Sequence, residues 1–302
     1  MKNFNKLSLI ALLFSIVFLT SCKKEYDSIQ IVDDAAIQTY IQKNNLTGLM
    51  KADPDGSGFY YQVLDPGTGN TMANKDSVLF NYQYKSLTNG NTFFGTPANS
   101  NNGTYLGYLA EPNFPNAFRQ SLQGLKYGAK VRVIIPSYLA FGKNGSTSVN
   151  IGSNEIIDAY INTFSTNKQW ELDDTKIQTF LTAKSLTAVK DPSRVYYITS
   201  NPGTGTDVIT KESTLVVKYT GRLLDGTVFD SSTDGTFSTT LNSVVRGWSV
   251  LTNLKAGGKM RIFIPSDLGY GTAGSFSQVT GAQTIPSNAI LDFDIEIVSV
   301  TN

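Results

Sequence analysis

The last third of the sequence sets a dense group of aromatic and aliphatic residues at what read as loop and strand ends. They are Tyr219, Phe229, Phe237, Val244, Val245, Trp248, Tyr270, Ile285 and Phe293, with the carboxylate of Asp230 among them. A lone aromatic residue in a strand is usually core, but the whole ordered pattern here argues otherwise. What these residues can do is bounded by what the chain lacks. There is no histidine, so histidine triads, general bases and metal sites are excluded. The single cysteine, Cys22, excludes an intrachain disulfide and cysteine-rich zinc sites. No cofactor or metal is expected. A formal net charge of +1 gives no reason to expect nucleic acid as a partner.

These residues need strands and one short helix to hold them. Residues 215–224 and 227–229 are β-rich runs on either side of Asp225-Gly226. An Asp-Gly pair in that setting is a hairpin signal, because glycine accepts positive φ. Residues 259–264 form a further strand stopped by Pro265, and residues 290–300 alternate in part and close the unit. Between them, residues 248–255 read as a short helix with Gly257 near its C-terminal cap. The expected class is α+β, a twisted antiparallel sheet wrapped around a short helix.

Five motifs in order carry a family resemblance: Tyr219-Thr220-Gly221, Asp225-Gly226-Thr227-Val228-Phe229-Asp230-Ser231-Ser232, Arg246-Gly247-Trp248, Gly269-Tyr270-Gly271 and Ile285-Pro286. Residues 215–300 resemble the FKBP-type peptidyl-prolyl cis-trans isomerases. The resemblance implies that Tyr219, Phe229, Trp248 and Phe293 line a pocket for the prolyl ring, with Trp248 as its floor. Phe237 and Val244 would form its side. The backbones of Val245 and Ile285 and the hydroxyl of Tyr270 would hydrogen-bond the peptide carbonyls, and Asp230 would be the charged group at the edge. The resemblance also implies a macrolide as a ligand of the same pocket. One departure is visible: the interval from Trp248 to Tyr270 is one residue shorter than in the family, with the missing residue within 249–253.

The same unit occurs twice. Asp33-Asp34 ahead of Ile37, Tyr40 and Ile41 matches Asp173-Asp174 ahead of Ile177, Phe180 and Leu181. Pro66-Gly67-Thr68-Gly69 matches Pro202-Gly203-Thr204-Gly205, and Ile135-Pro136-Ser137 matches Ile264-Pro265-Ser266. Ile151-Gly152-Ser153-Asn154 matches Ile285-Pro286-Ser287-Asn288. This is a tandem duplication over 32–165 and 166–302. Each copy opens with a helix that the paired aspartates can cap. The repeated Gly-Thr-Gly lacks the Lys-Ser/Thr of a phosphate loop and reads as a turn. Residues 53–58 read as a surface turn, not a calcium loop, because Leu64 stands where the bidentate glutamate is needed.

The first copy departs at the pocket. Aligned on Asn89-Gly90 against Asp225-Gly226, Phe93 matches Phe229, Phe94 replaces Asp230, Phe118 replaces Trp248 and Phe141 replaces Tyr270. Gln83 stands in the place of Tyr219 unless a one-residue bulge brings in Tyr82 or Tyr84. The first copy is therefore read as the same fold with a degenerate pocket. Its longer Asn-rich loop near residues 98–103, and the loop at 144–150, are expected to be solvated.

Residues 1–22 read as a targeting segment. Lys2 and Lys6 precede an apolar run at 7–19, too short to span a membrane comfortably, and Leu19-Thr20-Ser21-Cys22 resembles a bacterial lipobox. An ordinary secretory signal or a short membrane anchor are the alternatives. A lipid on Cys22 places the chain in the cell envelope of a bacterium, at the outer membrane, facing the periplasm or the surface, with 23–31 as a polar tether.

Two functional readings follow. In one, the second copy isomerises X-Pro bonds of unfolded or partly folded envelope proteins while the first binds or positions them. In the other, both copies hold peptide segments as a chaperone or adaptor lipoprotein without catalysis.

Overall fold

The computed structural model describes residues 27–110 and 114–302. Cys22 and the whole targeting segment lie outside the described residues. No described helix is long and apolar enough to cross a membrane.

The first repeat runs through helix α1 (Ile29–Lys43), strands β1 (Lys51–Ala52), β2 (Tyr60–Asp65), β3 (Ser77–Ser86), β4 (Thr92–Gly95) and β5 (Asn102–Tyr105), helix α2 (Ala117–Leu122), and strands β6 (Lys130–Ile135) and β7 (Ile157–Thr163). The second runs through α3 (Gln169–Ala183), β8 (Val189–Lys190), β9 (Tyr196–Asn201), β10 (Thr214–Leu223), β11 (Val228–Thr239), a 3₁₀ helix (Arg246–Asn253), β12 (Lys259–Ile264), β13 (Ser275–Phe276), β14 (Gln283–Ile285) and β15 (Leu291–Thr301). The sheets have the same antiparallel order, β1-β2-β6-β7-β3-β4 and β8-β9-β12-β15-β10-β11. The expected α+β class holds. β11 is a single strand, whereas its counterpart is divided into β4 and β5, both paired with β3.

Each sheet carries a helix on both faces. α2 and the 3₁₀ helix lie against one face, over interiors that contain Phe118, Val133 and Ile161 in the first repeat and Trp248, Ile262 and Ile295 in the second. α1 and α3 cover the other face. Ile37 and Ile41 pack with Ile134 and Ile156, and Ile177 and Leu181 pack with Phe263 and Ile290. Burying an isoleucine or leucine of this kind is worth about 1.5–3 kcal/mol, which fixes helix to sheet. On the face that α1 and α3 cover, Arg132 holds Asp158 at 2.8 and 2.9 Å, and Arg261 holds Asp292 at 2.9 and 2.7 Å.

The aspartate pairs do not cap the helices that contain them. α1 begins at Ile29, inside the expected tether, with Ser28 as N-cap, and α3 begins at Gln169. Asp33 and Asp173 are buried within those helices and reach across to another element. Asp33 Oδ2 accepts from Ser137 N and Oγ, both at 2.7 Å, and Asp173 Oδ2 accepts from Ser266 N at 2.9 Å and Oγ at 2.7 Å. Each carboxylate thus satisfies the first free N–H of the short 3₁₀ turn after β6 or β12. Burial pushes the Asp173 carboxyl up, against the hydrogen bonds from Ser266 and Gln169 that favour its charged form.

The missing residue behind Trp248 is absorbed by helix type. The first repeat, with the family's interval, forms the α-helical α2 and leaves it through Gly124 at φ 78°. The second spans the gap with an eight-residue 3₁₀ helix. A 3₁₀ helix rises about 2.0 Å per residue against about 1.5 Å in an α-helix, so fewer residues cover the same distance. Trp248 remains seated, 3% exposed.

Candidate functional site

The second repeat carries an open cleft of about 450 Å³. Its lining is Tyr219, Phe229, Asp230, Phe237, Ser243, Val244, Val245, Trp248, Gly269, Tyr270 and Phe293. Strand alternation turns Tyr219 and Gly221 of β10 inward. Phe293 comes from β15, directly paired with Gly221, and Asp230 from β11, paired with the same glycine. Gly221 is required there. A Cβ at this position would meet Phe293 at 2.6 Å and Phe229 at 2.7 Å. Its absence lets two aromatic rings close over the strand.

Those rings form an edge-to-face set. Tyr219 lies 5.2 Å from Phe237 and 5.6 Å from Trp248, and Phe293 lies 5.4 Å from both Phe229 and Trp248. Such geometry holds rings in place as well as burying area. The polar groups sit at the edge. Tyr219 donates its hydroxyl proton to Asp230 at 2.7 Å. Burial, and then Asp230, push the Tyr219 phenol well above its usual range, and the Tyr270 phenol is raised for the same reasons in the same order. Both remain neutral donors at physiological pH. The cleft therefore offers an apolar floor, a carboxylate rim and a phenol, with no nucleophile paired to a base.

Of the residues expected from sequence, Ile285 alone stays out of the lining. It is 2% exposed in the interior, and its backbone pairs with Ser275 across β13 and β14. Ser243 and Gly269 join the lining without having been singled out as pocket residues. Their adjacency to Val244 and Tyr270 was the available signal. A groove of about 510 Å³ on the outer face of the same sheet is slightly larger. It presents Lys218, Lys259, Asp294 and Glu296 rather than converging aromatic rings, so the cleft is the better site.

Cross-strand pairing corrects the comparison of the repeats. Tyr219 pairs with Ile295, and the counterpart pair is Tyr82 with Ile161, so Tyr82 and not Gln83 takes the place of Tyr219. The turn after β3 is one residue longer, closing Ser86 N to Asn91 O where β10 closes Leu223 N to Thr227 O. Phe94 does occupy the position of Asp230, paired with Tyr84 as Asp230 is with Gly221. Tyr82 stacks on Phe94 at 5.1 Å instead of donating to a carboxylate. Tyr84, 1% exposed, stands where Gly221 stands and packs 5.6 Å from both Phe118 and Phe141. The small partner moves across the pair, Ala159 replacing Phe293. The space that is a cleft in the second repeat is filled by these rings in the first.

Comparisons with known proteins place this chain among relatives of one family. The family model for FKBP-type peptidyl-prolyl cis-trans isomerase matches residues 69–158 and 205–298. The macrophage infectivity potentiator of Trypanosoma cruzi is 40% identical over 116 residues, covering 37% of this chain and 56% of that protein. The FKBP-type peptidyl-prolyl cis-trans isomerase FkpA of Escherichia coli K12 is 46% identical over 90 residues, covering 29% of this chain and 31% of that protein. The chain thus spans about half or less of the length of these curated relatives. A crystal structure of a peptidyl-prolyl cis-trans isomerase from Pseudomonas syringae aligns at 31% identity over 45% of this chain and 99% of that one, with a TM-score of 0.37.

Proposed function

The chain belongs to the FKBP-type peptidyl-prolyl cis-trans isomerase family, and from that membership we propose that its second repeat, residues 166–302, catalyses cis-trans exchange of X-Pro bonds. The observation that carries this reading is the convergence of Tyr219, Phe229, Asp230, Trp248, Tyr270 and Phe293 on one open cleft. An X-Pro bond rotates over a barrier of about 18–20 kcal/mol, and unaided exchange takes tens to hundreds of seconds. The planar amide is more dipolar than its twisted transition state. An apolar floor at Trp248 disfavours the planar form, and a hydrogen bond from Tyr270 to a peptide carbonyl fixes the twisted one. A ten-thousandfold gain needs only about 5.5 kcal/mol, and neither a nucleophile nor a metal is called on. Val244 and Phe237 flank the prolyl ring in this reading, the Val245 backbone bonds the peptide, and a macrolide would occupy the same floor.

The first repeat, residues 32–165, acts by binding or positioning clients rather than by catalysis. Its filled interior, with Phe94 and Phe141 in place of the carboxylate and the phenol, supports that division. The clients are proline-containing unfolded or partly folded proteins of the cell envelope, met at a membrane through a lipid on Cys22.

Proline-limited refolding of a reporter protein by the full chain tests the catalytic reading. Acceleration is expected, with kcat/KM falling about tenfold or more in Phe229→Ala and Asp230→Ala, the scale of losing about 1.4 kcal/mol of transition-state stabilisation. No acceleration by the intact chain would sink it.

A further inference from the structure

Residues 96–101 separate β4 from β5, where the counterpart β11 runs on as one strand. This Asn-rich loop was expected to be solvated. Ser100 is instead 4% exposed and Asn101 0% exposed, and their polar atoms find partners in the other repeat. Ser100 Oγ donates to Ser287 O at 2.7 Å, and Asn288 Nδ2 donates to Asn101 O at 3.0 Å. The Asn101 amide exchanges two bonds with Gln169, at 2.8 and 3.1 Å, and accepts a third from Lys176 Nζ at 3.2 Å.

Two hydrogen-bonded routes run from this loop to the segment that carries Tyr270. On the first, Asn288 N donates to Gly271 O at 2.8 Å. On the second, Gln169 Nε2 donates to Asp173 Oδ1 at 2.8 Å, while Asp173 Oδ2 holds Ser266 N and Oγ. Ser266 O in turn accepts from Gly269 N at 3.0 Å and Gly271 N at 2.8 Å. The residues on both sides of Tyr270 are thereby tied to the first repeat. The molecule contains its own control. Asn154 N donates to Gly142 O at 2.9 Å, the same turn in the first repeat, but Asn154 is exposed where Asn288 is 4% exposed. The turn is common to both copies. The cover on Asn288 is supplied across the repeats.

We infer that Ser100 and Asn101 of the first repeat are positioning residues for Tyr270 of the second, so that the filled copy sets the geometry of the open one. This rests on the reading that Tyr270 hydrogen-bonds the isomerising peptide. Buried, fully paired amide networks of this kind hold one arrangement strongly, because an unpaired member is costly. Small misplacements of a positioned group translate into large rate losses.

The test is a double-mutant cycle on the full chain, with kcat/KM measured on a short X-Pro peptide. Asn101→Ala is expected to lower kcat/KM about three- to tenfold, within the range that small misplacements produce. In a Tyr270→Phe background the same change is expected to do almost nothing further, because both then act on one hydrogen bond. Ser100→Ala and Asn288→Gly, which keeps the φ of 57°, should show a smaller loss with the same non-additivity, and they stand in if Asn101→Ala does not fold. Unchanged activity in all three variants, or equal losses with and without the Tyr270 hydroxyl, overturns the inference and leaves the isomerase reading intact. An intact chain without isomerase activity overturns both.

Discussion

A tyrosine buries on the order of 150–250 Å², and a glycine at the same place leaves room for its neighbours. Tyr84 and Gly221 are such a pair. With Gly221, Phe229 and Phe293 close over the strand and border a cleft. With Tyr84, the phenol ring reaches Phe118 and Phe141 and the cleft is gone. The Tyr84 hydroxyl is buried without a hydrogen-bond partner among the described residues, a state that costs about 1–3 kcal/mol. Tyr84→Phe is therefore expected to raise stability by about 1 kcal/mol, read as a higher urea midpoint with an unchanged slope. A lower midpoint would mean that the hydroxyl has a partner. The tyrosines also set the response to pH. With no histidine in the chain, isomerase activity is expected to be nearly flat between about pH 6 and 8, since the raised Tyr219 and Tyr270 phenols stay protonated there. Tyr82 is pushed from its usual 10.0 up to about 12 by burial. A group whose pKa rises on folding contributes stability that is full below its unfolded value and lost above it. The denaturation midpoint should hold to about pH 10 and fall toward pH 12, followed by circular dichroism alongside phenolate absorbance.

At the scale of the element, the buried aspartates matter most. Asp33 and Asp173 sit in the second turn of their helices yet satisfy backbone groups of the 3₁₀ turns after β6 and β12. They tie helix to sheet, and in the second repeat they lead toward Tyr270. Asp33→Ala leaves Ser137 N and Oγ buried without their acceptor, and a loss of about 1–3 kcal/mol is expected in chemical denaturation. A loss near zero would show that the turn finds another acceptor. The 3₁₀ helix at Arg246–Asn253 belongs to the same scale. The one-residue shortening behind Trp248 goes with a change in helix pitch and leaves its aromatic residue where the cleft needs it.

At the scale of the molecule, each repeat has its own two interiors, and hydrogen bonds from the loop at 96–101 help to join the repeats. Units with separate cores tend to unfold as units. Calorimetry of the full chain is expected to resolve two transitions, with Asp33→Ala lowering one and leaving the other in place. One transition moving as a whole would show that the loop couples the repeats into a single cooperative body.

Much of this was readable from the order of residues. The duplication, the Asp225-Gly226 hairpin, the strand at 259–264 and the aromatic set of the cleft are local patterns, and turn chemistry and side-chain alternation act over a few residues. Where the reading depended on pairing between distant segments, the tertiary structure decided. The extra residue in the turn after β3 shifted the alignment from Tyr82 to Gln83, because only the partner on β7 states which residue faces inward. Asp33 and Asp173 read as caps of their own helices because their acceptor role lies 104 and 93 residues away. The Asn-rich loop read as solvated because polar composition is the usual mark of a surface loop, and nothing in the first repeat names Ser287 and Asn288 as its partners. Composition and local spacing determined what this chain can do chemically. Burial and hydrogen bonding across long sequence separations decided how the first copy fills its cleft and what holds Tyr270 of the second in place.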